Sequence, residues 1–443
     1  MGQSGLLEAS LGWRTAGPLL FDPSPVRNSS NFSLLEPFNT FKPPAYYTTK
    51  FQERHREAME IIKICFWLSI FLILYPILIY PALVFLLGLI WPRTRKRRSW
   101  CPSVTILIPA YNEAQNIAAT IQNKLDQDYP RNQLEIIVIS DGSTDGTDDI
   151  VRGFDSQSVR LIRREQREGK AAALNEAARC ARGEILVFSD ANSLFAADAI
   201  RRMIENFADP KVGYVTGNLT YKIRSAGTAE KGCSAYMKYE NTLRTLETRA
   251  GSIIGVNGGV DAIRRELYRD VPRNLITDFV LPLHVIGTKH RVVYDERVHS
   301  SEVANSELGS EFRMRVRVSL RALQGIAYMR RLCNPIHHPW AAFGLISHKV
   351  SRYFCFLFLF IAFAANLMLI SNPGYAILFI AQTMVYMLAL LGLRKGLPKV
   401  FRKATSIPAY FLMSNAAFTV AAVKFLRGET MATWQPRAGA QTV

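Results

Sequence analysis

Acidic residues gather at the ends of three apolar, β-branched runs. Residues 135–139 lead into Ser140-Asp141-Gly142-Ser143-Thr144-Asp145-Gly146-Thr147, which precedes a helix-like run over 148–154. Residues 104–109 lead into Ala110-Tyr111-Asn112-Glu113, and residues 185–189 lead into Asp190-Ala191-Asn192. A carboxylate at the carboxyl end of a parallel strand, followed by glycine and small hydroxyl residues, faces the crevice in which open α/β sheets bind ligands. Taken alone, Asp-Gly and Ser-Thr-Asp are ordinary turn chemistry. Three strand ends of one series, each delivering an acidic cluster, favour a polar ligand site over three unrelated turns.

The elements that must position these residues alternate in type. Strand patterns over 104–109, 135–140, 159–163 and 185–189 are interleaved with helix patterns over 114–127, 147–154, 171–181 and 196–207. That rhythm predicts a parallel sheet with helices on both faces. Past residue 212 the rhythm changes. A strand over 212–220 is followed by a long polar helix near 229–249 and then by Gly255-Val256-Asn257-Gly258-Gly259.

The 443 residues are 49% hydrophobic because the apolar residues are concentrated, not because they are evenly spread. Runs over 61–91, 353–370, 375–393 and 407–425 meet or approach the roughly 17–25 apolar residues that cross a bilayer as a helix. The first could also be a buried core helix, but its length and near absence of charge favour a span. The expected organisation is an irregular arm (1–55), a span (56–92), a soluble domain (100–335), an amphipathic helix at the membrane surface (340–352), three transmembrane helices (353–426) and a tail (427–443).

Net charge is +18, and the excess flanks the spans. Arg93, Arg95, Lys96, Arg97 and Arg98 follow the first; Arg394, Lys395, Lys399, Arg402 and Lys403 lie between the third and fourth. The positive-inside rule places both groups and the middle domain in the cytoplasm, with arm and tail outside. Basic clusters beside spans read as contacts to membrane lipid, and no nucleic acid partner is expected. The six cysteines lack metal-ligand spacing, as fits a reduced compartment. The first twenty residues lack the charged start and apolar core of a signal peptide. Asn28-Ser29-Ser30 and Asn31-Phe32-Ser33 are sequons of a kind common by chance.

Pro109-Ala110-Tyr111-Asn112-Glu113, Asp141-Gly142-Ser143-Thr144-Asp145, Gly169-Lys170-Ala171-Ala172-Ala173-Leu174-Asn175 and Asp190-Ala191-Asn192 occur in the order and spacing of family-2 inverting glycosyltransferases. Over residues 100–330 the chain resembles that family. With its spans it is similar to the membrane-integrated branch that includes cellulose, hyaluronan and poly-N-acetylglucosamine synthases. The resemblance implies an α/β fold: a Rossmann-like GT-A domain with a mostly parallel sheet, cytoplasmic, joined to about four transmembrane helices. It implies an integral membrane enzyme, of a bacterial inner membrane by analogy. Such an enzyme moves a sugar, with inversion, from a nucleotide-sugar donor, a UDP-sugar by resemblance, to a lipid-linked or polysaccharide acceptor.

By the same resemblance, Pro109, Ala110, Tyr111, Glu113, Asp141, Lys170 and Asp190 bind the donor. Tyr111 packs on the base, Glu113 and Asp141 accept from ribose hydroxyls and base N–H, and Lys170 faces the phosphates. A solvated lysine and a helix-surface Asn175 are the plainer readings. Asp190 and Asn192 would hold Mg2+ or Mn2+. The family's Asp-x-Asp is here Asp-x-Asn, whose amide coordinates without charge. The family's Thr-Glu-Asp is here Ile276-Thr277-Asp278-Phe279, making Asp278 the catalytic base; the alternative is an N-cap. The Gln-x-x-Arg-Trp motif of processive synthases is reduced to Met314-Arg315-Val316-Arg317-Val318. Arg315 and Arg317 remain for acceptor or diphosphate, or else for anionic lipid. The missing Trp counts against a long-chain processive synthase. Two rival readings are a polyprenyl-phosphate sugar transferase and a catalytically silent membrane scaffold.

Overall fold

The computed structural model describes residues 45–94, 97–154, 158–222, 228–303, 308–394 and 398–431. The chain divides into two units, Met1–His55 and Arg56–Val443. Of the first, residues 45–55 are described and are helical. The rest of the expected arm with its sequons, Arg95, Lys96 and Lys395 of the basic clusters, and the tail from residue 432 lie outside the described residues.

One eight-stranded sheet holds β1 (Val104–Ala110), β2 (Leu134–Asp141), β3 (Val159–Arg164), β4 (Ile185–Ser189), β5 (Leu194–Phe195), β6 (Val212–Lys222), β7 (Val260–Arg264) and β8 (Arg291–Val303), in the order β3-β2-β1-β4-β7-β6-β8-β5. β1 runs parallel to both β2 and β4, and β2 is parallel to β3. β7 is antiparallel to β4 and β6, where the sequence rhythm changes; β6 and β8 are again parallel. β1 is buried along its whole length, which is why it reads as an unbroken apolar run. Its side chains alternate between two cores. Ile106 and Ile108 belong to one core with residues of α3 (Ile117–Leu125) and α6 (Ala199–Glu205), while Leu107 belongs to the other with residues of α5 (Lys170–Cys180) and α8 (Thr277–Gly287).

Three helical stretches are long and apolar enough to cross a membrane: Gln52–Ile90, Pro373–Gly392 and Ala404–Leu426. A fourth arises if Pro339–Tyr353 and Cys355–Met368, bent by 56°, form one broken span. The first span is interrupted by a π-turn, Tyr75–Ile79, between α1 (Ala45–Leu74) and α2 (Tyr80–Ile90). Pro76 and Pro81 cause it, since neither can donate to the helical ladder. Two carbonyls near the break, those of Pro76 and Ile77, accept from the Tyr239 hydroxyl at 3.3 and 3.0 Å. Tyr239 lies on the long polar helix α7 (Thr228–Ala250).

Residues 340–352, expected as a membrane-surface helix, are helical: α10 (Pro339–Gly344), a π-turn (Leu345–Val350) and α11 (Ser351–Tyr353). Two polar residues of this stretch point into the protein. Ser347 and His348 are buried, and His348 Nδ1 lies 3.0 Å from a buried Glu247 carboxylate on α7.

Candidate active site

The site lies at the carboxyl ends of β1, β2 and β4. There the loops after β1 and β2 are stitched together. Ser143 Oγ accepts from the Asn112 N–H (3.2 Å), Thr147 Oγ1 from Glu113 (2.9 Å) and Asp145 Oδ2 from Ala114 (3.0 Å). In return Asn112 Oδ1 accepts from the Thr144 N–H at 2.9 Å. Asn112 has φ +52°, which a short polar side chain tolerates when so held. The hydroxyl-rich run therefore spends Ser143, Asp145 and Thr147 on shaping the β1 loop. Pro109 and Ala110 are buried in β1 and serve to aim Tyr111 and Glu113.

Asp141 is fully buried. Its Oδ1 accepts from the Glu168 N–H (3.0 Å) and Arg164 (3.1 Å), and its Oδ2 accepts from the Gly169 N–H (2.7 Å). Burial pushes its carboxyl up, against these donors and the nearby arginines. Asp141 thus fixes the loop before α5. That loop carries Arg167, whose guanidinium lies 3.7 Å from the Tyr111 ring centroid, and it opens into Lys170. Glu113 is half-buried and accepts from Asn116 at 2.8 Å. Burial and the carboxylates of Asp190, Asp145 and Glu302 raise its pKa.

Lys170 and Asp190 form an ion pair. Burial alone would lower the Lys170 pKa, but Asp190, Asp278 and Glu302 together raise it. Glu302, on β8, is buried and accepts from the Ser193 hydroxyl. Two glycines make room for these acids. A β-carbon on Gly259 would lie 2.9 Å from Glu302 Oε1 and 3.6 Å from Asp190 Oδ2; one on Gly258 would lie 2.2 Å from Asp278 Oδ2. Both glycines have positive φ, +71° and +77°. Asn192 follows on the β4 loop, half-buried.

Asp278 occupies the first turn of α8, whose N-cap is Ile276. The cap alternative is therefore not what holds it. Its Oδ1 has no hydrogen-bond partner among the described residues. Burial raises its pKa, aided by Asp190 and opposed by Lys170 and Arg321. Beneath it, burial pushes Asp261 on β7 up to about 7.

The two motif arginines sit on α9 (Leu308–Tyr328). Arg315 is engaged elsewhere: it pairs with Glu311 at 3.0 Å and lies over the rings of Tyr410 (4.4 Å) and Tyr236 (5.2 Å). Arg317 is half-buried one turn before Arg321. It is Arg321 that reaches the site's framework, donating to the carbonyls of Arg273, Asn274 and Leu275 just before α8. Sequence reasoning missed Arg167, Glu302, Asp261 and Arg321. Arg321 alone left a signal, a third arginine at helical spacing from Arg317.

Residues 105–271 match the model of the family described as Glycosyl transferase family 2. The poly-beta-1,6-N-acetyl-D-glucosamine synthase of Staphylococcus epidermidis is 28% identical over 222 residues, 48% of this chain and 53% of that protein. The enzyme of the same name from Staphylococcus aureus matches with the same figures. The chain spans about half the length of these curated relatives. Among solved structures, a mannosyltransferase from Pyrobaculum calidifontis, in complex with GDP-Man and Mn2+, superposes with a TM-score of 0.63 at 25% identity, covering 82% of this chain and 99% of that one. The fold is therefore that of GT-A glycosyltransferases, and residues 105–271 resemble glycosyl transferase family 2.

Proposed function

We propose that this chain, built around a glycosyl transferase family 2 domain over residues 105–271, is a membrane-embedded glycosyltransferase. It moves a sugar, with inversion, from a nucleotide-sugar to a lipid-linked or polysaccharide acceptor. The observation that carries the reading is the Lys170–Asp190 ion pair beside the unpartnered Asp278 Oδ1, at the carboxyl ends of parallel strands. One end of this cluster suits a diphosphate, the other a hydroxyl that must lose a proton.

A divalent cation fits the donor set. Asp190 and Glu302 both turn an oxygen toward Gly259, where a side chain would intrude. Among the described residues no group of three or more His, Cys, Asp or Glu could hold a metal unaided. Asp190, with the Asn192 amide, would therefore share the ion with the donor's phosphates, as Mg2+ commonly is shared. The Mn2+ of the related mannosyltransferase supports the same class of ion here. When bound, it neutralises charge on the leaving diphosphate.

The chain's own residues do the rest. Tyr111 and Glu113 receive the nucleoside beside the Arg167 loop. Lys170 turns from Asp190 to the phosphates. Asp278 Oδ1 takes the proton of the acceptor hydroxyl as its oxygen bonds to the anomeric carbon and the bond to the diphosphate breaks with its electron pair. A raised pKa suits a base that must hold this proton transiently. The domain faces the cytoplasm, on the side marked by Arg93, Arg97, Arg98 and Arg394. Membranes carrying the chain, incubated with labelled UDP-N-acetylglucosamine, UDP-glucose and GDP-mannose, should transfer label from at least one donor. No transfer from any of a broad donor panel would leave the silent-scaffold reading standing.

A further inference from the structure

Residues 255–259 face the candidate base on one side and a buried ionic cluster on the other. In that cluster Arg244, Lys349 and Arg352 surround the carboxylates of Glu240 and Glu247. The carboxylates are already satisfied. Glu240 pairs with Arg352 and lies 3.7 Å from Arg244. Glu247 accepts from the Tyr80 hydroxyl (2.7 Å) and the Ile254 N–H (3.2 Å), with His348 Nδ1 at 3.0 Å. His348 Nε2 lies 3.2 Å from an Arg352 nitrogen and 3.6 Å from Glu240 Oε1. Three cations thus meet two anions, and Lys349 is the one left over. Among the described residues its ammonium makes no hydrogen bond or ion pair, and a β-carbon on Gly255 would lie 2.6 Å from Nζ. A half-buried cation without a partner is costly unless an anion joins it.

Two residues along the same loop, Asn257 Nδ2 is a buried donor without a partner among the described residues. One residue further, Gly258 backs Asp278, whose Oδ1 is a buried acceptor without one. Gly255 and Gly258 are three residues apart, so their α-carbons lie within about 10 Å, with Lys349 Nζ at one end of that stretch and Asp278 at the other. A ligand with an anionic group at one end and a reacting hydroxyl at the other belongs to the chemical class of sugar phosphates. Lys349 itself projects from the π-turn of the bent helix pair, and that pair continues into an apolar helix with Leu357 and Phe360 exposed. A lipid tail has that surface to lie along.

From this we infer an acceptor subsite for a lipid-linked sugar phosphate, with the phosphate held by Lys349 Nζ and Asn257 Nδ2 and the sugar hydroxyl presented to Asp278 Oδ1. The inference rests on the glycosyltransferase reading and names its acceptor class. The test uses the full chain in detergent micelles. Binding of geranylgeranyl phosphate, geranylgeraniol and inorganic phosphate is measured by thermophoresis for the parent, Lys349→Met and Asn257→Asp, with nucleotide diphosphate binding measured alongside. The parent should bind geranylgeranyl phosphate well above the alcohol. Both variants should weaken it by about ten- to a hundredfold, the worth of a hydrogen bond to a charged group, with nucleotide affinity unchanged. Asn257→Asp retains the side chain's size, so a folding failure at position 349 leaves the test intact. Variants within twofold of the parent, or an alcohol that binds as well as the phosphate, overturn the subsite. Inorganic phosphate that competes as strongly as the lipid makes it a free-anion site and overturns the lipid assignment. A parent that binds the lipid phosphate but no nucleotide speaks against the glycosyltransferase reading alone.

Discussion

Replacing Asp278 by Asn separates its chemical role from its structural one. The side chain keeps its size, so it still fits against Gly258, where Oδ2 leaves no space for a β-carbon. The lost charge near the N-terminus of α8 costs about 0.3–1 kcal/mol. The lost desolvation, which pushes the Asp278 carboxyl up, offsets it. Stability should therefore change by about 1 kcal/mol or less. The rate should behave differently, because an amide cannot take the acceptor's proton. General-base catalysis is worth about 10²–10⁴-fold, or about 2.7–5.4 kcal/mol of barrier. The assay is the transfer rate beside nucleotide affinity and thermal unfolding in the same preparation. Rate should fall by that factor while affinity and melting hold. The base acts deprotonated and its pKa is raised, so the parent's rate should decline on acidification at a higher pH than an ordinary aspartate gives, and the variant should lack that limb. A variant that transfers sugar within a few-fold of the parent refutes the base assignment. It would point to a nucleophile already ionised, as in a polyprenyl-phosphate sugar transferase.

Other perturbations test neighbouring parts. Asn192→Asp restores a second charge beside Asp190 and should tighten Mn2+ binding, read by titration with nucleotide diphosphate present; unchanged affinity would remove position 192 from the metal site. Gly258→Ala forces a β-carbon onto Asp278 Oδ2 at φ +71°, so it should lose transfer at least tenfold and about 1–2 kcal/mol of stability, measured by denaturant unfolding. Asp261 has a folded pKa near 7 against 3.8 unfolded, so the folded state binds the extra proton and stability falls as pH rises through that window. Asp261→Asn should therefore melt near the parent at about pH 3, below the unfolded value, and increasingly above it up to about pH 8, and a gap that does not widen over that range would contradict this. A cysteine placed in the middle domain should resist labelling by an impermeant reagent from outside intact cells; ready labelling would reverse the proposed orientation.

The parallel half of the sheet was legible because β1, β2 and β4 are buried on both faces and so appear as unbroken apolar runs. The strand ends carrying Glu113, Asp141 and Asp190 followed from that. The hydrogen-bond partners of their side chains did not. Asp141 looked like a ligand group, yet its oxygens are taken by N–H groups of the loop before α5, a contact set by how that loop folds back. Glu302 was hidden because β8 reaches the site only through its pairing with β6 and β5, over 100 residues from Ser193. Arg167 sits in a charged stretch that reads as solvated, and only the fold lays it over Tyr111. The bend between residues 339 and 368 was illegible for another reason: an apolar run reports length and hydropathy, and neither encodes a 56° break.

The buried ionic cluster explains why this catalytic domain is built onto its spans, not tethered to them. Tyr80 belongs to the first span, Glu240 and Glu247 to the long helix of the catalytic domain, and His348 and Arg352 to the bent pair. Their hydrogen bonds close only when all three are in register. Removing one partner of such a cluster leaves a charge stranded, at a cost of about 3–5 kcal/mol, so the arrangement is strongly specified even where its net stabilisation is small. Ile254, which donates to Glu247, precedes the glycine loop directly, and Arg244 donates to the Gly255 carbonyl. The loop that makes room for Asp278 is thus anchored through two hydrogen bonds to α7, whose Glu247 in turn accepts from Tyr80 on the first candidate span. Under the proposed lipid-linked acceptor, the candidate base Asp278 would be positioned by a loop that α7 holds in register with the candidate spans.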